Sequence, residues 1–191
     1  SINRININEG LMSEEVLHIV KGKLTSRGVR IYEKDSISEL ENRGYGEKTE
    51  TTLKLKNYEA AYLMQIGKLE IKRNNKKLDF GEFTAHSLKK YTKSWTSFLI
   101  YRDLRSRGYI LRDGFVFGVD FRIYSRGEFG TKPAKYVIFG LNEGSRVSAK
   151  KLKEYIHQIT KMGKEPIIAV IERRGEIIYY KASKAQFKEA K

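Results

Sequence analysis

Few side chains in this 191-residue chain are suited to acid–base, nucleophilic or metal chemistry. Cysteine is absent, which removes disulfides, thiolate nucleophiles and the usual zinc clusters together. The three histidines, His18, His86 and His157, lie far apart and form neither an HxxxH nor an HxH spacing, so no metal site and no cofactor is expected. Among the 12 tyrosines, Tyr124 ends a stretch in which strand alternation puts Val119, Phe121 and Ile123 on one face and Asp120, Arg122 and Tyr124 on the other. A phenol there can face a polar site, although the same pattern describes an ordinary half-buried strand tyrosine. The other resource is charge: 38 Lys and Arg against 23 Asp and Glu give a formal +15, which favours a polyanionic partner, nucleic acid first, through phosphate contacts. Charge alone does not separate that partner from a lysine-rich surface serving solubility or a hot habitat.

These groups need a folded frame, and the composition supplies one. Apolar residues make up 40% and aromatics 12%, enough for one large or two small domains. There is no apolar run near the roughly 18 residues of a membrane span and no signal-peptide layout, so a cytoplasmic protein without membrane contact is expected.

Ser13-Glu14-Glu15 ahead of Val16, Leu17, Ile19 and Val20 predicts a short capped helix. Gly28–Tyr32 predicts a strand, and the polar stretch from Asp35 to Thr52, with Gly44 and Gly46, a loop. Asn57 caps a helix over Tyr58–Met64 that stops at Gly67 before an alternating strand, Lys68–Lys72. After a charged turn at Arg73–Lys77, helical spacing runs from Phe83 through Trp95, Phe98 and Leu99 to Leu104 and stops at Gly108. Short strands follow at Tyr109–Leu111, Phe115–Tyr124 and Tyr136–Leu141. Ser148 caps a helix whose apolar stripe is Leu152, Tyr155, Ile156 and Ile159, leaving Lys150, Lys151, Lys153 and His157 on a basic face. Ile167–Ile171 is a buried strand and, after a turn at Arg174-Gly175, Glu176–Tyr180 completes a hairpin. The tail after Ala182 is polar and expected to fray. The fold class is therefore α+β: a small N-terminal α/β domain over 1–82, then a domain over 83–191 with a mixed sheet flanked by helices. Strand order does not follow from these patterns.

Tyr101-Arg102-Asp103-Leu104-Arg105-Ser106-Arg107-Gly108-Tyr109, followed by Gly114, Phe117-Gly118, Asp120-Phe121-Arg122 and Tyr124, resembles the signature of the tRNA-intron endonuclease family of archaeal tRNA-splicing endonucleases. The likeness extends from about Trp95 to Tyr180, and Glu59-Ala60-x-Tyr62-Leu63 with Gly67-x-Leu69 is similar to the family's N-terminal domain. The resemblance implies a nuclease-type second domain and metal-independent cutting of pre-tRNA at bulge-helix-bulge sites, leaving 2′,3′-cyclic phosphate and 5′-hydroxyl ends. Such a cut needs a group to take the 2′-hydroxyl proton, a group to give one to the leaving 5′-oxygen, and a fixed cation for the phosphorane. The family uses a tyrosine, a histidine and a lysine. Tyr124 and Lys164, just before Pro166-Ile167-Ile168, stand at the first and third positions.

The second position departs from the family. Where a histidine should precede the strand, the chain has Pro133-Ala134-Lys135-Tyr136-Val137-Ile138, and there is no histidine between His86 and His157. His157 falls where the family's RNA-clamping arginine is expected; with Arg122 and Lys161 it completes the expected RNA contacts. Assembly in the family uses an acidic loop between the last two strands and the final strand itself. The corresponding loop is Glu172-Arg173-Arg174-Gly175-Glu176, in which Glu172 and Glu176 could dock although two arginines dilute the field. Ile178, Tyr179 and Tyr180 are apolar enough for an interface. The resemblance thus implies a structural subunit pairing with a paralogous catalytic subunit in a heterotetramer and helping to hold pre-tRNA. Two alternatives stand beside it: a catalytic chain using a substitute acid, Lys132, Lys135 or another chain's histidine, and a basic RNA-binding protein outside the splicing complex.

Overall fold

The computed structural model describes residues 2–5, 18–89, 92–114 and 121–183. They fall into two units, one spanning Gly10–Ile110 and the other Ser1–Glu9 with Leu111–Lys191.

The first unit is built on a six-stranded sheet of β2 (Val20–Thr25), β3 (Gly28–Ile31), β4 (Glu47–Lys48), β5 (Leu53–Leu55), β6 (Leu69–Arg73) and β7 (Lys76–Leu78), ordered β4-β5-β3-β2-β6-β7. Strand alternation explains its two faces: Val20, Val29, Ile31, Leu53, Leu55, Leu69 and Ile71 are buried, and the residues between them are polar. The apolar face meets α2 (Asn57–Gln65), which in turn packs on α4 (Thr92–Ser106), where the Tyr101 ring lies 4.9 Å from Tyr58 and 5.9 Å from Tyr62. The β6–β7 turn is Asn74-Asn75, both at positive φ (49° and 64°), the conformation a two-residue hairpin needs.

Several expectations change in this unit. The segment from Asp35 to Thr52 is not a loop: it contains α1 (Lys34–Asn42) and β4. Only Ile37 and Leu40 give α1 an apolar stripe, too short to register as periodicity, yet both are buried beside Ser36, and Tyr45 is buried just beyond. The helix expected before Val20 lies mostly outside the described residues, and Val20 itself opens β2. The helical pattern around Phe83 to Leu104 belongs to two helices, α3 (Phe80–Ser87) and α4. Asp79 starts the first with a capping box: its Oδ1 accepts from Glu82 N at 2.7 Å, and Glu82 Oε2 accepts from Asp79 N at 3.1 Å. The cap of α2 is Lys56, not Asn57, because the Glu59 carboxylate reaches back to accept from Lys56 N at 2.8 Å.

The other oxygen of Glu59 accepts from Gly46 N at 2.9 Å, fixing the turn into β4. Gly46 has φ +71°, and a Cβ there would lie 2.7 Å from Leu53 Cγ. Gly46→Ala is accordingly expected to destabilise the chain by about 1–3 kcal/mol, read as a lower urea midpoint at unchanged slope.

The second unit carries a mixed sheet of β1 (Ile2–Ile5), β8 (Ile110–Asp113), β9 (Phe121–Tyr124), β10 (Tyr136–Asn142), β11 (Glu165–Ile171) and β12 (Ile177–Ala182), ordered β1-β12-β11-β10-β9-β8. β10 and β11 run parallel while β1–β12, β12–β11 and β10–β9 are antiparallel, and α5 (Ala149–Lys161) connects β10 to β11, as a parallel crossover requires. Ser148 Oγ caps α5 by accepting from Lys151 N at 3.2 Å. Its stripe packs as predicted: Tyr155 and Ile159 on Val137, and Leu152 and Ile156 on Phe139, Ile168 and Ala182. Of the strand expected over Phe115–Tyr124 only Phe121–Tyr124 is described, and residues 184–191 of the tail lie outside the described residues.

Candidate active site

Sheet register brings Tyr124, the entry to β10 and Lys164, the positions singled out by the sequence resemblance, to one end of the second unit. Tyr136 stands opposite Ile123 on one side and Glu165 on the other, so Tyr124 ends β9 beside Lys135, and Lys164 precedes β11 beside the same residue. Backbone hydrogen bonds hold this convergence: Lys135 N donates to Ile123 O at 3.2 Å, and Glu165 N donates to Lys135 O at 3.0 Å. Phe121 and Ile123 are buried and Arg122 and Tyr124 half-buried, the alternation read from the sequence. Because Arg122 pairs in register with Val137, and Val137 packs on Ile159, Arg122 and Tyr124 are on the α5 side of the sheet.

Each candidate has distinct surroundings. The Tyr124 ring meets Phe129 edge-on, with centroids 5.2 Å apart. Lys164 is half-buried and its Nζ donates to the carbonyl oxygen of Ala134, which ties the lysine to the residue after Pro133. Pro133 is exposed and carries no proton. It follows a turn in which Thr131 N and Lys132 N both donate to Glu128 O, at 3.1 and 2.9 Å. His157 and Lys161 are exposed on α5, off its apolar stripe.

The two lysines beside Pro133 are both engaged. Lys132 Nζ is 2.7 Å from Glu128 Oε1, and that hydrogen bond first, then the lysine's charge and a Ser125 hydrogen bond, holds the Glu128 carboxyl below the usual range against the opposing effect of desolvation. Lys135 Nζ lies 3.7 Å from Glu165 and 5.1 Å from the Tyr136 ring centroid, and Tyr136 first, then Glu165, holds its ammonium above the ordinary lysine range. A lysine already a weak acid at neutral pH is made weaker still.

Sequence reasoning missed the ion-pair cluster of Glu165 with Lys181 and Lys135, because Lys181 arrives through the β11–β12 register. Lys181 is the main cause of a depressed Glu165 pKa. A depressed carboxylate contributes stability above its unfolded pKa and loses it as pH falls through the folded value. Lys181→Met is therefore expected to raise the Glu165 midpoint in carbon-detected NMR titration and to shrink the acid-side loss of stability, which then ends at a higher pH.

At the opposite end, Gly175 (φ +86°) closes the hairpin, with Gly175 N donating to Glu172 O at 2.8 Å and Glu172 N to Glu176 O at 2.9 Å. A further carboxylate joins them: Glu143 Oε2 accepts from Arg173 N at 3.0 Å. In β12, Tyr179 is buried and Ile178 and Tyr180 are half-buried. The outer backbone edge of β12 is paired with β1, from Ile2–Ala182 to Ile5–Tyr179, so β1 is the sheet's edge strand. Among the described residues no cluster of three or more His, Cys, Asp or Glu side chains could hold a metal, and no helix is long and apolar enough to cross a membrane.

Both parts of the chain are similar to known proteins. Residues 94–179 match the tRNA intron endonuclease catalytic C-terminal domain and residues 20–84 the tRNA intron endonuclease N-terminal domain. The chain is 34% identical over 164 residues to the tRNA-splicing endonuclease of Methanococcus vannielii, covering 84% of this chain and 92% of that one. It is 32% identical over 173 residues to the tRNA-splicing endonuclease of Methanothermobacter thermautotrophicus, covering 90% and 94%. The tRNA-splicing endonuclease of Thermococcus onnurineus is 33% identical over 153 residues, covering 80% and 88%.

Proposed function

Because this chain belongs to the tRNA intron endonuclease family, we propose that it is the structural, non-catalytic subunit of a tRNA-splicing endonuclease that removes introns from pre-tRNA. The observation that carries the reading is Pro133, which stands where the family resemblance calls for a histidine, next to Ala134, whose carbonyl accepts from Lys164. In the family's reaction the 2′-oxygen attacks the adjacent phosphorus and the bond to the 5′-oxygen breaks, leaving a 2′,3′-cyclic phosphate and a 5′-hydroxyl. On this reading Tyr124 takes the 2′ proton and Lys164 meets phosphorane charge, but nothing at position 133 can protonate the departing oxygen. Losing a general acid costs about 10²–10⁴ in rate.

Lys132 and Lys135 do not replace it, since the first is ion-paired with Glu128 and the second is held more firmly protonated by its neighbours. The catalytic work falls to a paralogous subunit, with Arg122, His157 and Lys161 of this chain contacting RNA. Glu172 and Glu176, supported by Glu143, offer that partner an acidic tip. With β1 on the backbone edge of β12, the partner meets the side chains of Ile178 and Tyr180 rather than an open strand.

Co-expression with a catalytic member of the family tests this. A stable complex is expected to cut a bulge-helix-bulge RNA at a rate unchanged by Tyr124→Phe in this chain. Failure to form a complex favours a basic RNA-binding protein outside the splicing machinery.

A further inference from the structure

The polar face of the first unit's sheet carries a pattern invisible in the linear sequence. Lys54 of β5 stands opposite Arg30 of β3, Arg30 opposite Lys23 of β2, Lys23 opposite Lys72 of β6, and Lys72 opposite Lys77 of β7. Five neighbouring strands thus place five cations in one transverse row. With strands about 4.8 Å apart, the row is roughly 19 Å long. Lys23, Lys72 and Lys77 are exposed, and Arg30 and Lys54 half-buried.

Such a row is costly in the isolated protein, because like charges directly opposite on a sheet repel. A surface serving only solubility would alternate signs along it. Local acids offset the repulsion at one end of the row only. Glu47 ends the row opposite Lys54 but is ion-paired with Lys56 at 3.2 Å. Glu70 sits one position off the row and is bound to Lys77 at 2.6 Å, with Lys21 and Lys72 also near enough to depress its pKa. The arrangement therefore calls for an extended polyanion, one whose charges repeat along a line. A chain of phosphodiesters meets that description. The row itself has no aromatic side chain for a base to stack on, which favours the backbone over the bases.

We propose that this row is a binding site for the phosphodiester backbone of the RNA, taken without regard to base identity and lying in the N-terminal unit rather than among the candidate catalytic residues. The inference rests on the reading of the chain as a splicing-endonuclease subunit. It adds a second set of RNA contacts, supplied by the N-terminal domain.

The test compares full-length wild type, Lys23→Ala/Lys72→Ala, and Lys48→Ala/Lys76→Ala, whose lysines are ion-paired with Glu41 and Glu82 away from the row. Binding to a transcribed intron-containing pre-tRNA and to an unrelated RNA duplex is followed by fluorescence anisotropy from low to high salt. Each phosphate contact is worth roughly fivefold at about 0.15 M salt by counterion release, so the row variant is expected to bind both RNAs about tenfold to thirtyfold more weakly, with a salt slope shallower by about 2. The paired-lysine variant is expected to change by less than about twofold. Without RNA, relief of repulsion leaves the melting temperature of the row variant unchanged or higher at low salt, which separates lost binding from lost folding. Equal behaviour of the two variants overturns the proposal. So does loss of binding to phosphatidylserine vesicles with RNA binding intact, because the row would then serve a membrane. A wild type that binds neither RNA removes the proposed function along with this site, whereas binding that ignores the row removes this site alone.

Discussion

Pro133→His is expected to raise metal-independent cleavage by the isolated chain by about 10²–10⁴-fold, the usual contribution of a positioned general acid. The substitution places an imidazole two residues before Lys135, whose backbone is bonded to both Ile123 and Glu165, and next to Ala134, whose carbonyl holds Lys164. Position 133 is exposed, so the new ring displaces no core side chain. Removing a proline frees the unfolded chain at a cost of about 0.4–1 kcal/mol, too little to mask the gain. With an unperturbed pKa near about 6.5, the imidazolium is available below that pH, so the added activity should fall as pH rises through it. Tyr124→Phe in the same background should cancel the gain, since the 2′ proton would have no acceptor. A folded Pro133→His chain with no added activity would mean that Tyr124 and Lys164, although convergent, are not aligned for the reaction.

Arg105→Ala is expected to destabilise the chain by about 3–5 kcal/mol, measured by urea denaturation. Arg105 is 2% exposed, donates through Nε to the Tyr45 hydroxyl at 3.0 Å and through a terminal nitrogen to the Arg43 carbonyl, and stacks 4.0 Å from the Tyr45 ring centroid. Truncation leaves a buried hydroxyl and a carbonyl without this donor and opens a cavity beside Tyr101, whose phenol burial already pushes well above the ordinary tyrosine range. Arg105→Lys should recover little, because a single ammonium cannot reproduce the planar fork. A loss under about 1 kcal/mol would show that solvent reaches these groups.

Arg105 also shows where sequence patterns and structure part. It lies in the Tyr101–Tyr109 segment that carried the family resemblance, and its surroundings give it a packing role rather than a chemical one. Features set by local spacing were legible: the α5 stripe, the β11–β12 hairpin, and the split of Phe121 and Ile123 from Arg122 and Tyr124. The helix α1 was not, because two apolar residues make no periodicity and its stability comes from contacts distant in sequence. Register was equally hidden. Lys23, Arg30, Lys54, Lys72 and Lys77 each look like solvated surface residues until five strands are aligned, and Lys181 meets Glu165 only through a hairpin. The missing histidine needed no structure, since identity alone shows that Pro133 cannot titrate. What the fold adds is that Lys135, two residues after Pro133, is bonded through its backbone to both Ile123 and Glu165, so Tyr124 and Lys164 flank it at one end of one sheet.

Cleavage of a bulge-helix-bulge RNA by the purified wild-type chain, in chelator and without any other subunit, is the most direct measurement. No 2′,3′-cyclic phosphate product above background is expected from the chain alone, with cutting restored when a catalytic member of the family is added. Cleavage by the chain alone that disappears in Tyr124→Phe would contradict the structural role assigned to it.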